Sequence, residues 1–120
     1  MLRRKRKTKS YGELNILNYL KDNKIRFERE YTFNNCRSPK NYLLRFDFYL
    51  IDYNILIEYQ GQHHYFPVNK KYRAKLVHNK TKLHDDIKKQ FCKSNRLLLI
   101  DIPYYEKNNI SLILDNIIKG

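Results

Sequence analysis

The chain has 120 residues and a formal net charge of +13, from 25 Lys and Arg against 12 Asp and Glu. At about 100–200 residues per domain this is one folded unit, and 42% hydrophobic with 31% charged residues excludes a chain disordered throughout. The apolar runs are too short for a membrane-spanning helix, and no apolar segment follows the basic start as a secretory signal would require.

Residues 1–9 hold Arg3, Arg4, Lys5, Arg6, Lys7 and Lys9, with nothing apolar after Leu2. They read as a flexible basic arm, suited to phosphates or to a nuclear address. Residues 10–120 form the domain. Ser10 and Glu13 make the Ser-x-x-Glu capping pattern, and Leu14, Ile16, Leu17 and Leu20 follow, which predicts a helix over Tyr11–Asn23. Ile25, Phe27, Tyr31 and Phe33 sit at even spacing, with Arg26, Glu28 and Glu30 between them, as in a strand with one wet face. Asn34 to Asn41 is a polar connection. Tyr42–Ile51 and Ile55–Tyr59 are largely apolar on both faces and flank Asp52-Tyr53-Asn54, a hairpin covered on both sides. Gly61 to Thr81 is long, basic and weakly patterned. Lys82–Ser94 reads as a helix and Leu97–Ile102 as a short strand stopped by Pro103. Ile110, Leu114, Ile117 and Ile118 mark a closing helix over Ile110–Ile118. The order is α-β-β-β-α-β-α.

The charge favours a polyanionic partner, nucleic acid before an anionic membrane surface. An AT-rich codon bias toward Lys, Asn, Ile and Tyr would raise Lys in the same way with no binding role. Cys36 and Cys92 stand apart, with no Cys-x-x-Cys pair. They suit a reducing, intracellular compartment, argue against a zinc ribbon, and read as buried free thiols.

The chemistry lies in the hairpin. Asp47 falls within Leu44-Arg45-Phe46-Asp47-Phe48-Tyr49-Leu50 and Glu58 within Ile55-Leu56-Ile57-Glu58-Tyr59. Carboxylates in such surroundings are costly unless paired or bound to a cation. Their oxygens suit Mg²⁺ or Mn²⁺. Pairing of Asp47 with Arg45 or a distant base, and of Glu58 with a Lys, accounts for the same residues without metal. Register decides whether they can share an ion. A two-residue loop at Tyr53-Asn54 sets Asp47 opposite Gln60 and Tyr49 opposite Glu58, so that Asp47, Glu58 and Gln60 share a face. A three-residue loop puts the two acids on opposite faces unless a bulge intervenes.

Asp47, then Glu58-Tyr59-Gln60, on the second and third strands after a helix carrying Glu13, resembles the PD-(D/E)xK nuclease superfamily. Ile57-Glu58-Tyr59-Gln60-Gly61-Gln62-His63-His64-Tyr65, Asp85-Asp86-Ile87-Lys88 and Leu98-Leu99-Ile100-Asp101-Ile102-Pro103-Tyr104 extend the likeness over about Ser10 to Tyr105. Within the superfamily these blocks resemble small phage and large-virus homing-type and very-short-patch-repair-like endonucleases. The resemblance implies an α/β fold with a restriction-endonuclease-like αβββαβ core, a mixed central sheet flanked by helices. It implies an intracellular or virion-associated, Mg²⁺-dependent (or Mn²⁺-dependent) endonuclease acting on DNA. Asp47 and Glu58 would be the metal carboxylates, helped by a backbone carbonyl near Tyr59. Gln60 stands in the place of the superfamily's usual Lys and would orient water. Glu13 matches the acid of the first helix, and reads equally as a plain helix cap. His64 matches the His of a His-aromatic pair. Lys88 matches a family Lys able to supply charge from outside the sheet, and reads otherwise as a solvated helical Lys. Arg3, Arg4, Lys5, Arg6, Lys70, Lys71, Arg73 and Lys75 would meet flanking phosphates, and Tyr65, Phe66 and Tyr72 lie among them. Cutting both strands would need a homodimer or two successive nicks. The missing Lys, His63 where relatives carry Gln, and Asp101 where they often carry Arg support a second reading: a DNA-binding or DNA-packaging protein on a nuclease fold that has lost catalysis.

Overall fold

The capping pattern at Ser10 forms. Glu13 N–H donates to Ser10 Oγ at 3.2 Å, and the Ser10 hydroxyl donates back to the Glu13 carboxylate at 3.3 Å. The helix it opens, α1, runs Tyr11–Asp22. The computed structural model describes residues 10–61 and 72–120, and of 72–78 the backbone alone. After α1 come β1 (Glu28–Arg37), β2 (Leu43–Leu50), β3 (Ile55–Gln60), α2 (Tyr72–Ser94), β4 (Leu98–Pro103) and α3 (Ile110–Ile118). The expected α/β element order is therefore present. Among the described residues no helix is long and apolar enough to cross a membrane.

The four strands make one mixed sheet in the order β1-β2-β3-β4. β1 and β2, and β2 and β3, are antiparallel; β3 and β4 are parallel, joined across α2. One face buries Ile16, Leu20, Phe48, Leu50, Ile57 and Leu114 beneath α1 and α3. The other buries Cys36, Leu44, Phe46 and Leu56 against α2, which contributes Cys92. Covering on both faces explains why the hairpin strands read as continuously apolar.

Two elements depart from the sequence expectation. β1 reaches through Arg37, so part of the polar connection is strand, reached through a shift in register between Thr32 and Arg37. α2 starts at Tyr72, ten residues before the expected Lys82. Its first turns are rich in Lys and Arg, which are good helix formers, but they carry only a weak apolar pattern to announce a helix.

The hairpin loop is even, but of four residues rather than two. Leu50 pairs with Ile55, Tyr49 with Leu56 and Phe48 with Ile57, around a 3₁₀ turn at Ile51–Tyr53 and a left-handed Asn54 (φ 55°). Asp47 and Glu58 are the next residues along, just beyond the last pair, and close enough for the Asp47 charge to act on Glu58. Tyr49 thus faces Leu56, not Glu58.

A second feature fixes where Asp47 points. In a regular strand Leu44, Phe46, Phe48 and Leu50 would share a face. Here Leu44 and Phe46 lie under α2, while Phe48 and Leu50 lie under α1 and α3. The strand therefore changes face at Asp47. β1 changes with it: Arg29 pairs with Phe48 and Tyr31 with Phe46, and the residue between them, Glu30, has φ 49°. A left-handed glutamate is strained by roughly 1–2 kcal/mol. Glycine at position 30 removes that strain, so Glu30→Gly should cost less stability than glycine at an ordinary position of the same strand. Glu28→Gly, in the same strand, should cost about 0.5–1 kcal/mol. Urea denaturation of the two variants checks this; a larger loss at position 30 than at 28 would contradict it.

Candidate active site

β2 and β3 part beyond the Phe48–Ile57 pair. In the opening, Asp47 Oδ2 accepts the Tyr59 N–H at 2.8 Å, a side chain bonding to the neighbouring strand's main chain. Glu58 is buried with 5% of its surface exposed and faces α2. There Lys88 Nζ donates to Glu58 Oε2 at 2.9 Å and lies 5.2 Å from the centre of the Phe46 ring. Asp85 and Lys88 are three apart on α2, and it is Lys88 that turns inward. The sequence reading of Lys88 as a solvated helical residue therefore does not hold, whereas the pairing of Glu58 with a Lys does. Arg45, by contrast, pairs with Glu30 at 3.3 Å and not with Asp47.

Burial dominates the electrostatics. It pushes the Glu58 carboxyl up from 4.5 to about 7, with Asp47 and Asp101 adding repulsion and Lys88 opposing it. Burial also raises Asp47, and Glu13 adds to the rise, while the Tyr59 N–H, Lys88 and Arg29 oppose it. One nearby ammonium does not offset the burial of two neighbouring acids. Groups with such shifts in one opening mark a candidate site, as structural ion pairs also do.

Glu13 reaches this region from α1. Its carboxylate pairs with Arg29 Nη2 at 3.2 Å, and Arg29 Nε also donates to the Asp47 main-chain carbonyl at 3.4 Å. Arg29 lies over the Phe48 ring, 4.5 Å from its centre. Glu13 is thus both the helix cap and an acid held beside Asp47. The close approach depends on Gly12, where a side-chain carbon would collide with the Tyr59 ring. Gln60, also buried, donates its amide to Asp101 Oδ1 at 2.7 Å. That hydrogen bond engages the Gln60 amide nitrogen and fixes the orientation of the side chain.

Arg29 and the Asp101 bond to Gln60 were not legible in the sequence. Arg29 is one of 25 basic residues, and Asp101 pairs with Glu58 only through the parallel β3–β4 register. His64, His63, Tyr65, Phe66, Lys70 and Lys71 lie outside the described residues, as do Arg3, Arg4, Lys5 and Arg6. Arg73 and Lys75 are on the α2 backbone, with their side chains outside the description. Cys36 on β1 and Cys92 on α2 are buried free thiols between the sheet and that helix, as expected, and burial pushes the Cys92 thiol up to about 12, so it is neither nucleophile nor ready ligand.

Among the described residues no group of three or more His, Cys, Asp or Glu is gathered as a ready-made cation cage. Mg²⁺ does not need one: it is commonly held by one or two carboxylates, with water and phosphate completing the octahedron. The two neighbouring acids, each with a second oxygen beyond its bond to Tyr59 or Lys88, fit that donor set. No family model matches this chain, and no curated protein or solved structure is detectably similar to it.

The raised Glu58 carboxyl makes stability depend on pH. The folded chain holds this proton more tightly than the unfolded one, so the Glu58 contribution is highest below about 4.5 and is lost as pH rises to about 7. Glu58→Gln removes this titration. The variant's stability relative to the parent should rise by about 3 kcal/mol from pH 4.5 to pH 7.5, measured by urea denaturation across that range. A difference that stays flat or falls would contradict the assignment.

Proposed function

We propose that this chain is a metal-dependent DNA endonuclease of the restriction-endonuclease-like αβββαβ type, hydrolysing phosphodiester bonds by nicking or structure-selective cutting. The observation that carries the reading is the nearness of Asp47 and Glu58 on two parted strands, with Lys88 beside them. The order of elements and a net charge of +13 support it.

Asp47 and Glu58 would hold Mg²⁺ or Mn²⁺, with a main-chain carbonyl near Tyr59. When bound, the ion supplies Lewis-acid polarisation of the phosphate and a lowered pKa for an attacking water. Lys88 brings a positive charge to the place where negative charge grows on the phosphate. It does so from α2, in place of the ammonium that Gln60 lacks. Gln60, steadied by Asp101, would orient a water. Glu13 and Arg29 hold the Asp47 segment in position. His64 is assigned to the leaving oxygen. Arg3, Arg4, Lys5, Arg6, Lys70, Lys71, Arg73 and Lys75 would neutralise flanking phosphates, so binding weakens steeply with salt.

A second reading, a DNA-binding protein that has lost catalysis, is favoured by one observation: Glu58 already has a close cation in Lys88, and such a pair can be purely structural. Plasmid nicking separates the two. Mg²⁺ should support nicking and EDTA should stop it. Asp47→Asn and Glu58→Gln should lose nicking while DNA binding stays near the parent's, since losing a negative charge cannot weaken attraction to phosphate. Lys88→Met should nick more slowly with binding nearly unchanged. Nicking that persists in both acid variants, or its absence in the parent with Mg²⁺ and Mn²⁺, would overturn the hydrolase reading.

A further inference from the structure

A groove of about 290 Å³ lies between the β1–β2 turn and α2. The turn contributes Pro39, Lys40 and Tyr42; the helix contributes Lys80, Leu83 and His84, which recur at helical spacing on one side. Tyr42 and Leu83 are 68% and 47% exposed, large apolar surfaces that the described residues do not cover. The turn is rigidly built. Ser38 N–H donates to the Tyr42 carbonyl at 2.8 Å, and Tyr42 N–H to Ser38 Oγ at 3.1 Å. The Arg37 guanidinium clamps the carbonyls of Asn34 and Asn41 at 2.8 and 3.0 Å. A wall held this way does not have to be ordered when something binds.

Its position relates it to the acids. β2 begins at this turn and reaches Asp47 five residues after Tyr42, about 17 Å along the strand, and His84 is one helical turn before Lys88. The strand length corresponds to about five nucleotide steps at 3.4 Å per nucleotide of a duplex strand. Burial, with Lys80 and Lys88, lowers the His84 pKa, so its ring is uncharged at neutral pH and joins the apolar wall. Lys40 and Lys80 then supply the positive rim.

We propose that this groove receives one unpaired nucleotide of the DNA strand acted on, its base against Tyr42 and Leu83 and its phosphate between Lys40 and Lys80. The proposal rests on the DNA reading above and narrows the substrate to DNA with an unpaired or extruded base. Size and charge favour that occupant. The volume is at the lower end for small-ligand pockets, so it suits a single base and not a double helix. A second copy of a +13 chain would bring like charge to a positive rim. Stacking on an exposed tyrosine accepts any base, which makes the selectivity one for structure and not for sequence.

The test is binding without cutting. Full-length protein in EDTA is titrated, at fixed salt, against two fluorescent duplexes that differ by one extra unpaired nucleotide. The bulged duplex should bind about tenfold more tightly, the range expected of one stacked base. Tyr42→Ala and Leu83→Asn, at exposed positions and without change of charge, should each remove that preference and leave affinity for the paired duplex as it was. Equal binding of both duplexes by the parent, or a preference retained in both variants, would overturn the proposal. So would variants that lower Tm while the parent lacks the preference, since the groove would then be filled by the chain itself. Parallel nicking of plasmid with Mg²⁺ keeps the two readings apart. Nicking without the bulge preference sinks the groove alone; the preference without nicking sinks the hydrolase alone.

Discussion

Two acids close together inside a sheet need positive charge nearby. Glu58 is buried and Asp47 half-buried where β2 and β3 part, and each is held in a costly place. The Tyr59 N–H and the Lys88 ammonium relieve part of the cost at 2.8 and 2.9 Å. The rest shows as carboxyls that hold their protons too tightly. A divalent ion would relieve what remains, and its binding would compete with protons for Glu58, so metal affinity should strengthen as pH rises toward neutrality.

The geometry depends on a backbone irregularity spanning two strands. If β1 and β2 ran regularly, Phe46 and Phe48 would share one face. Instead both strands change face at Glu30 and Asp47. The exchange lets one phenylalanine pack under α2 and the other under α1, and leaves Asp47 at the crossing, aimed at Tyr59 and not into either core. Strain held by well-packed neighbours on both sides is a common way of keeping a reactive group in place.

Much of this was readable beforehand. The capping pair Ser10 and Glu13, the two-faced apolar hairpin and the closing helix all follow from residue spacing. The parity of the hairpin loop, on which the nearness of the acids depended, was not. Asp52-Tyr53-Asn54 allows loops of two, three or four residues, and the left-handed Asn54 with its 3₁₀ turn decides among them. The face exchange was hidden because Phe46 and Phe48 are equally apolar, so alternation carries no signal there. Lys88 could not be told from the other lysines of α2 by composition; the resemblance through Asp85-Asp86-Ile87-Lys88 pointed to it, and the packing of the helix over Phe46 turns it inward. The early turns of α2 were not read as helix because Tyr72, Ala74, Leu76 and Val77 are interleaved with Arg73, Lys75 and polar residues, which leaves only a weak pattern.

The most direct measurement is anomalous diffraction from crystals soaked in Mn²⁺. A peak within coordinating distance of one oxygen from Asp47 and one from Glu58, lost in Asp47→Asn, is the predicted result. Crystals that diffract well and show manganese only elsewhere, at concentrations that support nicking, would contradict the account.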